Sequence, residues 1–508
     1  MMKGRVKIGE KTRRTVLWLP CRERGGDQEN GYLTVWLALC LTLILALFLV
    51  LVDGARRNGC RLEAECVSDI GLQSIMAEYH RELLRQYNLF AIDTSYGTAT
   101  CGRANTEAHL REYLEKNLSM EGIFLSETMY RDFFGLKLQS AELTKASRMT
   151  DGEGAVFRQM AVETLEDDVG LGLLKDVQEW MQVIEINGLE SQDTEERKHR
   201  LDEELESYDG TCIEEEEGVW TSVDVENPTA ALEAKRSLGI LALVTEGEEK
   251  LSQSAIAPDG LVMNRMQQGK ISRGNMNWTE SSGLESILEK FLFQEYLLRY
   301  MGHYGQEREE SKLKYQAEYL VAGKDSDVEN LRSVAGRICI IREAANAIYL
   351  LSDEEKRAEA EALAAIASFL ILLPELAPVL EAAIILGWAF AESVYDVKTL
   401  LNGGRIPLIK DRESWHYDLA TALLGELQEK TDGGSGLSYN DYLRIFMMFT
   451  GVETLTGRAM NMVEADMRST PGSAAFRLDG CYVRIEARIQ IESAFGCQYE
   501  LTRQKSYH

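Results

Sequence analysis

The chain has 508 residues, with 55 Lys and Arg against 82 Asp and Glu, and a formal net charge of −27. That balance excludes a generally basic nucleic-acid binder, so no nucleic-acid partner is expected. Hydrophobic residues make up 45% and charged residues 27%, which allows a sizeable core and excludes collagen-like or globally disordered chains. Only seven prolines occur, and none lies between Pro20 and Pro228, so long helices are uninterrupted and a mostly helical α+β fold is expected.

The first 30 residues are basic, holding Lys3, Arg5, Lys7, Lys11, Arg13, Arg14, Arg22 and Arg24 against four acids. Tyr32 to Val52 follows, 21 residues without a charge, about 31 Å as a helix and therefore the thickness of a bilayer core. The apolar run is longer than that of a signal peptide and lacks a small-residue cleavage site after it, which points to a retained single-pass anchor with the lipid bilayer as a partner. Lys11, Arg13, Arg14, Arg22 and Arg24 outnumber Arg56, Arg57 and Arg61 beyond the span, which places the N-terminus in the cytoplasm and the acidic bulk outside. Leu72, Met76, Tyr79, Leu83, Tyr87 and Phe90 recur on one helical face, so the anchor helix is expected to continue to about Leu89, with Gly54, Gly59 and Gly71 as points of bending. The expected organisation is a cytoplasmic segment (1–30), a transmembrane helix (31–53), a helix extension with the first strands of an extracytoplasmic head (54–150), an acidic helical and loop-rich region (151–280), a helical domain with a buried apolar hairpin (281–470) and a C-terminal strand region (471–508).

Residues 107–118 and 155–183 have helical patterning, and 190–217, ending in Glu214 to Glu217, is an acidic stretch without EF-hand spacing, best read as a solvated face or loop. Ser282 is placed to cap a helix carrying Leu284, Leu288, Phe291, Tyr296 and Leu298, and further helices are expected at about 309–322, 326–351 and 353–373. Ala362 to Ala391 is apolar, but Pro374 and Pro378 break it and Glu375 and Glu381 would cost a few kcal/mol each in a bilayer. It therefore reads as a buried hairpin. Asp441 begins a helix whose face uses Tyr442, Phe446, Phe449, Met460, Val463 and Met467. Val483, Ile485, Ala487, Ile489 and Ile491 alternate with polar residues as a half-buried strand, for which Asn88 to Asp93 and Phe134 to Leu143 are the candidate partners.

Gly31-Tyr32-Leu33-Thr34-Val35-Trp36, running into a span that ends Val52-Asp53-Gly54-Ala55-Arg56, resembles the anchor of TadE/TadG-like pseudopilins from tight-adherence (Tad) pilus and secretion loci. Most of the remaining chain resembles an uncharacterised bacterial family of membrane-anchored proteins that shares this anchor. The resemblance is carried by Tyr87 to Gly97, Glu318 to Lys324, Arg342-Glu343-Ala344-Ala345-Asn346, Ala391 to Val397, Asp441-Tyr442-Leu443-Arg444, Arg458-Ala459-Met460 and Met467-Arg468. It implies pseudopilin-like or pilus-assembly partners and supplies no biochemical activity. Type IV pilins carry a glutamate at the fifth residue after the processed glycine, where this chain has Trp36, which favours an accessory or scaffolding subunit over a filament's major subunit.

Among nine cysteines (Cys21, Cys40, Cys60, Cys66, Cys101, Cys212, Cys339, Cys481 and Cys497) there is no CxxC or zinc-like Cys/His spacing. An oxidising exterior would allow one or two disulfides, with the pairing open. Ser311-Lys312-Leu313-Lys314 satisfies SxxK without the companion SDN and KTG triplets, and the six histidines form no HExxH. Asp325-Ser326-Asp327 with Glu329 reads as an acid-rich helix N-terminus. No catalytic, cofactor-binding or metal residues are expected, and the leading expectation is a structural envelope protein that is not an enzyme. An extracytoplasmic binding or sensory module is the alternative, with a pocket between the helical layer and the sheet.

Overall fold

A computed structural model describes residues 29–119, 134–165, 171–190, 194–210, 212–216, 219–222, 227–271, 273–276, 285–427 and 434–507. The helix expected to be the anchor, and called the anchor helix for that reason, is Glu29–Met76, one element of 48 residues, and Tyr32–Met76 is long and apolar enough to cross a membrane. Tyr32 to Val52 is exposed throughout except for half-buried Cys40. The basic N-terminal segment and Cys21 lie outside the described residues.

The anchor helix stops at Met76 rather than continuing to Leu89. A second helix, Arg81–Tyr87, is capped by His80, whose Nδ1 accepts the Leu83 amide at 3.1 Å, and it closes on Asn88 in the left-handed region (φ 53°). Local capping thus overrides an apolar period that reads straight through, and Leu72 and Leu83, both buried, sit on different helices. Residues 155–183 are likewise two helices, Asp151–Glu163 and Leu171–Ile186.

Eight strands are described: β1 (Ile92–Asp93), β2 (Lys137–Arg148), β3 (Cys212–Glu216), β4 (Val219–Ser222), β5 (Arg405–Ile406), β6 (Leu437–Ser438), β7 (Cys481–Glu492) and β8 (Gln498–Ser506). Strand β7 is the alternating C-terminal segment, and it pairs antiparallel with β2 along one edge and with β8 and β1 along the other. Both expected partners are there, although Asn88 to Asp93 supplies only two paired residues. The strand β8 has no alternating apolar pattern and its edge position explains why: only Leu501 is buried in it. Ala141, Leu143, Ile485, Ala487 and Ile489 form a small core with Ala64, Leu72 and Ile75 of the anchor helix and with Leu110 and Leu114 of helix Arg103–Leu118.

The larger core surrounds helices Asp327–Ser352 and Ala377–Leu401. The apolar hairpin forms as expected from Glu354–Leu370 and Ala377–Leu401, turning at Leu372 (φ 59°) and Pro374. Pro378 does not break it, because a proline in the first turn of a helix removes no hydrogen bond. The second arm is the core helix, whereas the first buries only Ala360, Ala364 and Ser368 and leaves Ile366, Phe369 and Leu370 exposed.

Three other expectations change. The helix expected at 309–322 is only Gln316–Ala322. The one expected from Asp441 starts at Tyr439, where Ser438 and Asp441 form a capping box, and it ends at Phe449; Met460, Val463 and Met467 belong to a separate helix, Val452–Ser469, begun at Gly451. The acidic stretch contains helix Thr194–Tyr208, in which Lys198 lies near Asp202 and Leu205 is buried, and then β3. Ser282 and Leu284 lie outside the described residues, and the helix that they were expected to start is described from Glu285 to Tyr300.

Gly436 pins the small β5–β6 ladder. It has φ +124°, and a Cβ there would lie 2.4 Å from the Ile406 carbonyl carbon and the Pro407 nitrogen, both backbone atoms. Gly436→Ala is expected to cost about 2 kcal/mol or more in denaturant unfolding, from left-handed strain plus displacement of β5; a cost within about 0.5 kcal/mol would mean that the ladder shifts freely.

Candidate functional site

The polar residues of the sequence motifs are drawn into the interior and paired with one another. Arg342 projects from helix Asp327–Ser352 at a fully buried position, where its Nε bonds Asp396 Oδ2 at 2.9 Å across the interface with helix Ala377–Leu401. Its Nη1 donates to the carbonyls of Pro407 (2.8 Å) and Leu408 (2.7 Å), which follow directly on β5. Asn346, one turn along, donates to Asp396 Oδ2 at 3.0 Å. Lys410 completes the cluster, with its Nζ at 2.6 Å from Asp396 Oδ1 and paired with Glu392 as well. Glu392 also accepts the amides of His416 (3.1 Å) and Tyr417 (3.0 Å).

Burial alone would push the Asp396 carboxyl up, but the two cations outweigh it and hold it below the usual carboxylate range. Aromatic rings close the cluster on one side. The Lys356 ammonium lies 4.6 Å and 4.9 Å from the ring centroids of Trp388 and Trp415, and both indole nitrogens donate to the Tyr417 carbonyl. Arg342, Asp396, Lys410 and Glu392 have no exposed side-chain surface. This arrangement locks the register of two helices and a loop, and its charged side chains are closed to solvent.

A second network joins the N-terminal and C-terminal motifs. Tyr87 donates to Asp466 Oδ2 at 2.5 Å, Gln316 to the same oxygen at 2.7 Å and the Lys312 amide to Oδ1 at 2.7 Å. Burial pushes the Asp466 carboxyl up. Nearby, Glu318 is fully buried; its Oε1 accepts the Tyr304 amide (2.9 Å) and the Tyr439 hydroxyl (2.7 Å), while Oε2 has no partner among the described residues. Burial raises this carboxyl to about 7 despite those bonds. A third network is built on Glu464, held by Arg265 through two bonds of 2.7 and 2.8 Å and by Arg468. Arg458 donates to the carbonyls of Leu320 and Val321 at the end of helix Gln316–Ala322, and Arg444 bridges Glu295 and Asp441.

The SxxK residues are not arranged for catalysis. Ser311 donates to the Arg308 carbonyl, and Lys314 Nζ reaches the carbonyls of Arg308 (3.0 Å) and Glu309 (2.6 Å), so the amine holds a loop. In the acid-rich segment Ser326 is the cap, while Asp327 turns inward and accepts the Ser252 hydroxyl and the amides of Lys314 and Tyr315. Among the described residues no group of His, Cys, Asp and Glu is placed to hold a metal ion, and the eight described cysteines are free thiols.

A shallow cleft, with an enclosed volume of only about 20 Å³, opens between helices Thr194–Tyr208, Ala230–Arg236 and Ala377–Leu401, rather than between the helical layer and the sheet. Its floor is Leu201, Leu232, Gly387 and Phe390. At its mouth Lys198 lies 3.7 Å from both Asp202 and Glu233, and Arg236 stacks on Phe390 while pairing with Glu343 at 2.5 Å. The charges around the cleft thus already compensate one another.

The profile of a family of unknown function (DUF5702) matches residues 218–493, more than half of the chain, a span that includes the Arg342–Asp396 and Glu464 clusters and β7 but not the anchor helix. No curated protein and no solved structure matches the chain.

Proposed function

The chain belongs to the DUF5702 family of unknown function, a premise that assigns no activity, and we propose that it is a membrane-anchored, non-enzymatic structural subunit of a cell-envelope assembly of the tight-adherence kind. The observation that carries this reading is the exposed apolar run Tyr32 to Val52, continuous with a helical extension whose one face is packed under the head. An isolated exposed apolar helix of this length is stable only in lipid or against other apolar helices. The opposite face of the extension keeps Leu62 (64% exposed) and Ile70 (44%) open, a surface suited to lateral stacking against similar helices. Support also comes from the motif residues, since those with charge are used up in holding the fold. The TadE/TadG-like resemblance of Gly31 to Arg56 supplies the class of partner, and the basic residues before the span put the head outside the cell.

Mild crosslinking in intact cells, purification from membranes and mass spectrometry test the reading. Tight-adherence components attached to the chain are the expected result, together with digestion of the head by protease added to whole cells after the outer layers are made permeable. Recovery of the chain alone sinks the assembly role. The binding-module alternative is favoured by one observation, the cleft floored by Phe390 and Leu232. It predicts that a small apolar ligand copurifies with the chain and is lost in Leu201→Trp, which fills the cleft from a half-buried position; a Cβ at Gly387 would instead lie 2.7 Å from Thr229 and disturb the fold.

A further inference from the structure

The end of the sheet lies at a definite height on the anchor helix. Strand β8 runs alongside that helix: the Tyr499 hydroxyl donates to the Arg57 carbonyl (3.2 Å), Arg503 reaches Glu65 (3.6 Å) and Asp69 (3.3 Å), and the Tyr507 hydroxyl donates to the Met76 carbonyl (2.6 Å). Eight strand residues cover about 26 Å and nineteen helical residues about 28 Å, so the two elements are nearly parallel. It follows that β8 points away from the apolar span and that the turn before it, Ser493 to Cys497, points towards it.

The height of the turn can be read on the helix. Phe495 stands beside Arg56, whose guanidinium carbon is 3.0 Å from the centre of its ring. Arg56 is four residues beyond Val52, the last residue of the charge-free span, which is about 6 Å along the axis. The headgroup layer on each side of a bilayer core is about 5 to 8 Å thick. With Tyr32 to Val52 in the core, the turn is level with the phospholipid headgroups, and Phe495 is 48% exposed there. Arg56 and the exposed Lys137, at the same end of the sheet where β2 begins opposite Glu492, bring positive charge to this level, while Arg57 is paired there with Asp53 at 2.8 Å. An exposed aromatic ring backed by guanidinium groups suits the boundary between acyl chains and phosphates.

We propose that the β7–β8 turn is a second membrane contact, in which Phe495 enters the headgroup layer of the bilayer that the anchor crosses, with Arg56 and Lys137 beside lipid phosphates. The head then stands on the membrane at two points and cannot pivot about the helix. This inference rests on the anchor reading above, and its test separates the two. The full chain is reconstituted in vesicles of phosphatidylethanolamine and phosphatidylglycerol with the photoreactive analogue p-benzoylphenylalanine at position 45 or at position 495. After irradiation, the mass of the labelled peptide reports whether one phospholipid has been added. Adducts at both positions are expected. An adduct at Leu45 but not at Phe495 would overturn the turn contact and leave the anchor standing, and no adduct at either would overturn both. The unsubstituted chain provides an independent readout: amide exchange at Ala494 to Gly496 is expected to slow in vesicles relative to detergent, and equal rates would count against the contact.

Discussion

Asp396→Ala is expected to destabilise the chain by about 3 to 5 kcal/mol. The substitution leaves the Arg342 guanidinium and the Lys410 ammonium buried with one carboxylate fewer, and an uncompensated buried charge costs that much. Urea unfolding of the full chain in detergent, followed by the emission of Trp388 and Trp415 beside the cluster, measures it directly. Replacing Arg342, Asp396 and Lys410 by apolar residues of similar size and Glu392 by Gln, which still accepts the His416 and Tyr417 amides, leaves no member of the cluster charged and is expected to cost less than Asp396→Ala alone, because desolvation is then relieved along with the pairing. A loss below about 1 kcal/mol for Asp396→Ala would mean that water reaches the cluster and that its closed packing is wrong.

Glu318 should make stability fall as pH rises. Its carboxyl, ordinarily near 4.5, titrates at about 7 in the fold, so the folded chain holds a proton that the unfolded chain has released between these values. The stabilisation is therefore complete below about 4.5 and is lost as pH climbs through 7, amounting to about 3 kcal/mol at one pKa unit per 1.36 kcal/mol. Glu318→Gln keeps an acceptor for the Tyr304 amide and the Tyr439 hydroxyl but cannot ionise. The difference between the two stability curves isolates this residue from Asp466 and Asp327, whose carboxyls burial also raises. The variant is expected to equal the parent near pH 4.5 and to exceed it above pH 7; parallel curves across that range would show Glu318 to be ionised in the fold throughout.

How much of the fold could be read locally depended on whether the signal was itself local. The anchor was legible because a charge-free run of 21 residues has few other uses, and β7 because strict alternation from Val483 to Ile491 has a period of two. The apolar hairpin followed from Pro374 and two glutamates, whereas Pro378 lies in the first turn of the second arm and breaks nothing. The breaks at Met76 and at Gly451 were missed, since the apolar faces on either side keep the helical spacing while His80 and Gly451 end the phase. The edge strand β8 was missed for the opposite reason: with one edge and much of its surface open, it carries polar residues at most positions.

The sequence by itself determined the mostly helical class, where the chain is apolar enough to enter a bilayer, and which short motifs stand out. What those motifs do was decided by tertiary structure alone. Arg342 and Asp396 are 54 positions apart, Tyr87 and Asp466 are 379 apart, and Arg265 and Glu464 are 199 apart. In the unfolded chain each of these groups is hydrated and indistinguishable from a surface charge. Only close packing of the helices removes the water, and with it the alternative partners, so that each group must find the partners that share its interface. The same holds for Phe495, an isolated aromatic in a turn, whose height relative to the apolar run Tyr32 to Val52 is fixed only once β8 has aligned itself with the first helix.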